Sequence, residues 1–191
     1  KSSAASDVYK RQSYGNGGAM RVSPVGFYAQ TLEETLSLAR QTAIVSHNHP
    51  DGIAGAEAIV TSVFLARNGT NKNEIRHHII SSYGYNLMLK CQDIPPRFTI
   101  KASITCPAAI IAFLDSSDYE SAIRLAISLG GDSDTIACMA GGIAAAYYGI
   151  PSTIVDRART YLPDDMLAII DEFDNSCLLY TSDAADDLIG V

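Results

Sequence analysis

Gly130-Gly131-Asp132-Ser133-Asp134-Thr135 sets two carboxylates and two hydroxyls within four residues, directly after paired glycines. Glycines let a chain leave one helix sharply and enter the next. Dense oxygen donors of this kind suit hard divalent cations such as Mg2+ or Mn2+. Plain N-capping competes with that reading, because Asp, Ser and Thr are favoured at helix starts and acidic groups complement the positive helix end. One carboxylate would serve as a cap, and here a second follows, ahead of an almost uncharged stretch, 136–148.

Ser13-Tyr14-Gly15-Asn16-Gly17-Gly18-Ala19-Met20-Arg21 is the second candidate. Consecutive glycines allow backbone amides to turn inward around an anion, above all a phosphate. Tyr14 offers a face for a base and Asn16 a hydrogen bond for a ribose hydroxyl. A flexible glycine turn explains the same composition. The third candidate, Ser46-His47-Asn48-His49-Pro50-Asp51-Gly52, holds two of the four histidines. H-x-H-x-D invites comparison with zinc hydrolases, but Gly52 stands where a further histidine belongs. The alternative has Asp51 capping the next helix, with the histidines as polar loop residues. His77 and His78 read as surface helix positions, and Cys106 and Cys138 as core. No GxSxG elbow, Walker loop or Cys/His pair at a recognisable spacing is present.

The elements that must carry these groups read as helices. Thr31-Leu-Glu-Glu34 is a capping box, and Leu32, Leu36, Ala39 and Ala43 give one apolar face after it. A helix over 53–67 ends at Asn68-Gly69. Asn71 opens another, and Gly84 closes it. Pro107 is expected in the first turn of a short helix to 114. Ser117-Asp-Tyr-Glu120 is read as a further capping box, opening a helix that ends at Gly130-Gly131. Helices are predicted over 132–148, 152–161 and 163–173. Only 98–104 alternates like a strand, through Phe98, Ile100, Ala102 and Ile104. The expected fold is all-α and orthogonally packed.

Composition bounds the setting. The 191 residues are 47% apolar and 18% charged with a net charge of −7, as a globular chain with its own core should be. No basic stripe is present, so binding to a nucleic-acid backbone is not expected. The longest apolar stretches, 58–66 and 107–114, fall far short of the roughly 20 residues a membrane span needs, and no membrane association is expected. Four scattered cysteines without a CxxC pair fit a reducing, cytoplasmic location. The ends differ in character: 1–12 and 177–191 share no periodicity with the interior and resemble translated sequencing-adaptor read-through. On that reading the native segment is about 13–176.

Taken in order, SYGNGGAMRVSPVG, SHNHPDGIAGAEA and AISLGGDSDTIACMAGGIAAAYYGIP resemble the ADP-ribosylglycohydrolase family, which includes the dinitrogenase reductase-activating glycohydrolase. The resemblance has a bacterial flavour and spans nearly all of 13–173. It implies an all-α domain that hydrolyses the glycosidic bond between ADP-ribose and a protein side chain or small-molecule acceptor, using two Mg2+ or Mn2+ ions. Carried over by position, it makes Asp132, Asp134 and Thr135 metal ligands, with both aspartates catalytic through the metal. It gives Ser13, Tyr14, Gly15, Asn16 and Gly17 to the ADP-ribose loop, and His47 to the ribose beside the scissile bond. His49 and Asp51 receive no role. The family's other metal motif, a T-D-D-T run upstream of the glycine loop, has no counterpart here. The chain by itself is therefore expected to be inactive, and the complete protein active. A non-catalytic ADP-ribose binder or crystallin-like structural member is the competing expectation.

Overall fold

A computed structural model describes the backbone of residues 13–186 and side chains through Cys177. Residues 1–12 and 187–191, parts of the two adaptor-like ends, lie outside the described residues. Ten α-helices form among those described: α1 (Gly17–Met20), α2 (Ser23–Tyr28), α3 (Leu32–Ile44), α4 (Pro50–Arg67), α5 (Lys72–Tyr83), α6 (Ala102–Asp115), α7 (Tyr119–Ser128), α8 (Ser133–Tyr148), α9 (Ser152–Arg159) and α10 (Asp164–Asp186). The all-α expectation holds. No helix among the described residues is long and apolar enough to cross a membrane.

Two compact units divide the chain, one ending at Gly149 and the other starting at Ile150. In the first, α4, α6 and α8 pack on one another. All three are apolar nearly all round, as befits helices surrounded by protein. Ile59, Val63, Ile110, Phe113, Met139 and Ile143 are fully buried between them, each worth about 1.5–3 kcal/mol in area removed from water. Small residues set the spacing: a Cβ at Gly55 would stand 2.8 Å from the Ala102 Cβ and 2.9 Å from the Cys106 Sγ. That close approach seats the start of α6 against α4, beside the glycine loop. In the second unit, α9 and α10 are joined by an ion pair from Arg159 to Asp171 at 2.8 Å.

Local signals place most helix ends. Thr31 accepts the Glu34 N–H at 3.1 Å, while the Glu34 carboxylate reaches one residue further back, to the Gln30 N–H at 2.8 Å. Asn71 and Glu74 cap each other, and Gly84 ends α5 at φ 67°, a conformation only glycine enters cheaply.

Four local readings are corrected. The stretch 98–104 is no strand: Gly15 and Lys101 form an isolated antiparallel bridge, and α6 has begun by Ala102. Of its alternating face only Ala102 is buried, as the first residue of α6, while Phe98 remains 74% exposed. Pro107 lies inside α6 rather than in its first turn. The helix begins earlier because the Ala102 N–H is anchored on the Tyr14 carbonyl at 3.0 Å. The cap of α7 is Asp118, which pairs with Ser121, one residue beyond the Ser117–Glu120 reading. Cys138 is exposed, not core, because it lies one turn from exposed Asp134 on the same face of α8.

Candidate functional site

The glycine loop is tied down through its backbone. Tyr14 accepts the Ala102 N–H, and the Asn16 N–H donates to the Ile100 carbonyl at 2.9 Å. Ser13 accepts the Gly15 N–H through its hydroxyl at 3.1 Å. The loop then turns into α1 with Asn16 at the helix start, only 6% exposed. Asn16 spends both amide hydrogens inside the protein, on the Thr105 hydroxyl at 3.2 Å and on the Asp132 carboxylate at 2.6 Å. Thr105 in turn donates to the Lys101 carbonyl at 3.0 Å.

Asp132 is the meeting point of the first two candidate motifs. Gly130 and Gly131, at φ 66° and 68°, swing the chain from α7 into α8. A side chain on Gly131 would run into the Arg97 carbonyl. Asp132 stands at the N-cap position, yet its side chain makes no cap hydrogen bond. One carboxylate oxygen accepts Asn16, and the other accepts the Thr135 hydroxyl at 3.2 Å. Asp134 is exposed. Thr135 is buried, and with its hydrogen given to Asp132 its oxygen keeps two lone pairs as acceptors. Two carboxylates not used as caps and a hydroxyl thus stand within four residues of one helix start, oxygen donors of the type a hard cation prefers.

His47 approaches the loop from the end of α3. Its ring packs on Gly17, where a Cβ would fall 2.9 Å from both Cε1 and Nε2. The Ser46 hydroxyl lies 2.8 Å from Nδ1, and Arg21 donates to Ser46 at 2.6 Å and to the Thr42 carbonyl at 2.8 Å. Partial burial, and then the Arg21 charge, hold the imidazole pKa below its ordinary value.

His49 and Asp51 serve elsewhere. The His49 Nδ1 accepts the Asp51 N–H at 3.1 Å, so the histidine, not the aspartate, caps α4. With Tyr14, Lys101 and Ser103 they line a cleft of about 300 Å³. Tyr14 is 45% exposed there, edge-on to His49 at 6.0 Å, with the Lys101 ammonium 5.7 Å from its ring centre. The zinc alternative finds no support. Among the described residues no three His, Cys, Asp or Glu side chains converge to hold a metal.

A family model described as ADP-ribosylglycohydrolase matches residues 1–183. The chain belongs to the ADP-ribosylglycohydrolase family. Among relatives of this ADP-ribosylglycohydrolase family chain, ADP-ribosylhydrolase ARH3 of Mus musculus is 30% identical, covering 82% of this chain and 56% of that protein. ADP-ribosylarginine hydrolase Tri1 of Pseudomonas putida (strain GB-1) is 26% identical over 74% of this chain and 40% of its own. A solved structure titled "ADP-ribosylglycohydrolase-related protein complex" superposes with a TM-score of 0.60 at 28% identity, over 72% of this chain and 52% of that one. The chain spans about half the length of the curated relatives it matches.

Within this family chain, the structure joins the glycine loop to Asp132 through Asn16, and to His47 through Gly17. Sequence reading passed over Thr105, Ser46 and Arg21 as participants. Thr105 had a signal: a hydroxyl residue in the apolar run Ile104–Leu114, apart from Pro107, must satisfy its polar atom somewhere once buried. Arg21 and Ser46 lie in segments already singled out, but nothing local shows that they meet.

Proposed function

We propose that the complete protein to which this chain belongs hydrolyses the glycosidic bond joining ADP-ribose to a protein side chain or small-molecule acceptor, with two Mg2+ or Mn2+ ions. One observation carries the reading. The Asp132 carboxylate stands at a helix start without capping it, held instead by an asparagine of the glycine loop. It leaves a carboxylate beside the glycine loop with no backbone amide of its own helix to satisfy, as a metal ligand requires. Family membership and relatives named as ADP-ribosyl hydrolases support the chemistry.

Asp132, Asp134 and Thr135 would hold metal, and a cation there supplies Lewis-acid stabilisation to charge developing on oxygen. The chain's own residues do the rest. The amides of 13–17 other than those of Gly15 and Asn16, which are bonded to Ser13 and Ile100, meet the diphosphate, and Tyr14 offers its exposed ring to the base. Asn16, with its amide hydrogens committed, keeps Asp132 aimed. His47 borders the sugar side of the loop. The transition state carries oxocarbenium character at the ribose carbon. Four cysteines scattered along the chain without a CxxC pair support a reducing, cytoplasmic location.

Water completes much of an Mg2+ shell, but a second ion needs carboxylates of its own, and the T-D-D-T run that the family resemblance implies has no counterpart in these residues. We therefore expect turnover from the complete protein and none from these 191 residues. The test is release of ADP-ribose from an ADP-ribosylated protein, with Mg2+ or Mn2+ and then with chelator. Chelator-resistant release would remove the metal reading. ADP-ribose binding without release by the complete protein would instead make it a non-catalytic binder.

A further inference from the structure

We propose that Arg21 and Ser46 are positioning residues that lock His47 in the tautomer protonated at Nε2, so that the ring offers a neutral N–H donor to the glycine loop. The reasoning is donor bookkeeping. A guanidinium can only donate, so the Ser46 oxygen accepts from Arg21 at 2.6 Å. The serine hydrogen then needs an acceptor, and the neighbour within reach among the described residues is the His47 Nδ1 at 2.8 Å. The arrangement Arg21→Ser46→His47 satisfies all three groups. The reverse, with Nδ1–H donating, leaves the serine hydrogen without a protein acceptor among the described residues. A cationic donor on the serine oxygen also polarises its O–H toward the ring.

Position decides what the lock achieves. The Nε2 edge lies over the loop: a Cβ would come within 2.9 Å of it at Gly17 and 3.6 Å at Gly15. Glycine there lets the imidazole pack directly on the loop, so a ligand oxygen seated at the loop lies beside the ring N–H. The same ring in the other tautomer would present a lone pair, which repels an oxygen without a hydrogen and accepts only from a hydroxyl. Arg21 also disfavours the imidazolium, so donor strength rests on the tautomer rather than on charge. That the oxygen belongs to ADP-ribose rests on the proposed function; the tautomer does not.

The test is a long-range 1H–15N correlation spectrum of the 191-residue chain at alkaline pH, with His47 assigned by its loss in His47→Gln. His49 is an internal reference. A backbone N–H donates to its Nδ1, so it too should carry its proton on Nε2, in every variant. Wild type should show His47 as the Nε2–H form alone. Ser46→Ala should give a tautomer mixture, Ser46→Thr should restore the single form, and Arg21→Gln should shift the titration midpoint of His47 upward. ADP-ribose binding should weaken roughly 5–10-fold in Ser46→Ala and recover in Ser46→Thr. An Nδ1–H form in wild type, or an unchanged Nε2–H form in Ser46→Ala, overturns the lock. If Ser46→Ala fails to fold, the wild-type tautomer and the Arg21→Gln midpoint decide it. A confirmed lock with no ADP-ribose bound to the wild-type complete protein would count against the proposed function and leave the tautomer standing.

Discussion

Asp118 and Asp132 stand at the same position, the N-cap, of two successive helices, yet they do different work. Asp118 has an extended backbone, φ −157° and ψ 178°, and its carboxylate folds back onto the Ser121 N–H at 2.7 Å. Asp132 follows two left-handed glycines and has ψ 54°, which turns its carboxylate off the backbone amides of its helix and onto the Asn16 amide and the Thr135 hydroxyl. A cap is a bond to residues three positions on. Asp132 forgoes the backbone part of that role, and the amides of its helix are left without it. An acidic residue at a helix start is thus evidence of chemistry only when its carboxylate is engaged elsewhere.

The largest effect should come from Asp132→Asn in the complete protein. The variant keeps shape and an acceptor for Asn16 but loses the negative charge, so metal-dependent ADP-ribose release should vanish while the thermal midpoint stays close to wild type. Full turnover in that variant would erase the distinction between the two aspartates. Asn16→Ala comes next. It removes the residue that orients Asp132, and Mn2+ affinity by titration calorimetry should fall about 10–100-fold, as for other groups that support a metal ligand. Unaltered affinity would mean that Asp132 needs no guide.

Asp118→Ala should have the smallest effect, and of a different kind: a lower unfolding midpoint with turnover untouched. The Ser121 N–H, above all, holds the Asp118 carboxyl below its ordinary value. Its folded pKa is therefore depressed relative to the unfolded chain. The stabilisation is present above the ordinary carboxylate range and is lost as pH falls through the folded value. The midpoints of wild type and Asp118→Ala should converge in acid. A gap that persists unchanged at low pH would show that the carboxylate is not what caps α7.

Legibility followed the range of the interaction. Thr31–Glu34, Asn71–Glu74 and Gly84 could be read because capping partners lie within four residues and Gly84 answers a local need for positive φ. The 98–104 stretch was misread because alternation describes a strand only where another strand pairs with it, and here the loop supplies one bridge before α6 begins. Pro107 was misplaced because a helix start is set by what holds its first amides. For α6 that is Tyr14, far away in the chain.

The sequence by itself determined the all-α architecture, most helix ends and the oxygen-rich cluster at Asp132–Thr135, since these follow from side-chain type and short-range hydrogen bonding. Tertiary structure alone decided that Asp132 is spare, that Asn16 holds it, and that Arg21 reaches His47 through Ser46. Asn16 and Asp132 stand 116 positions apart, and Asn16 and Thr105 stand 89 apart. A buried amide must find acceptors for its hydrogens wherever the fold brings them, and spacing along the chain carries no record of which ones those are.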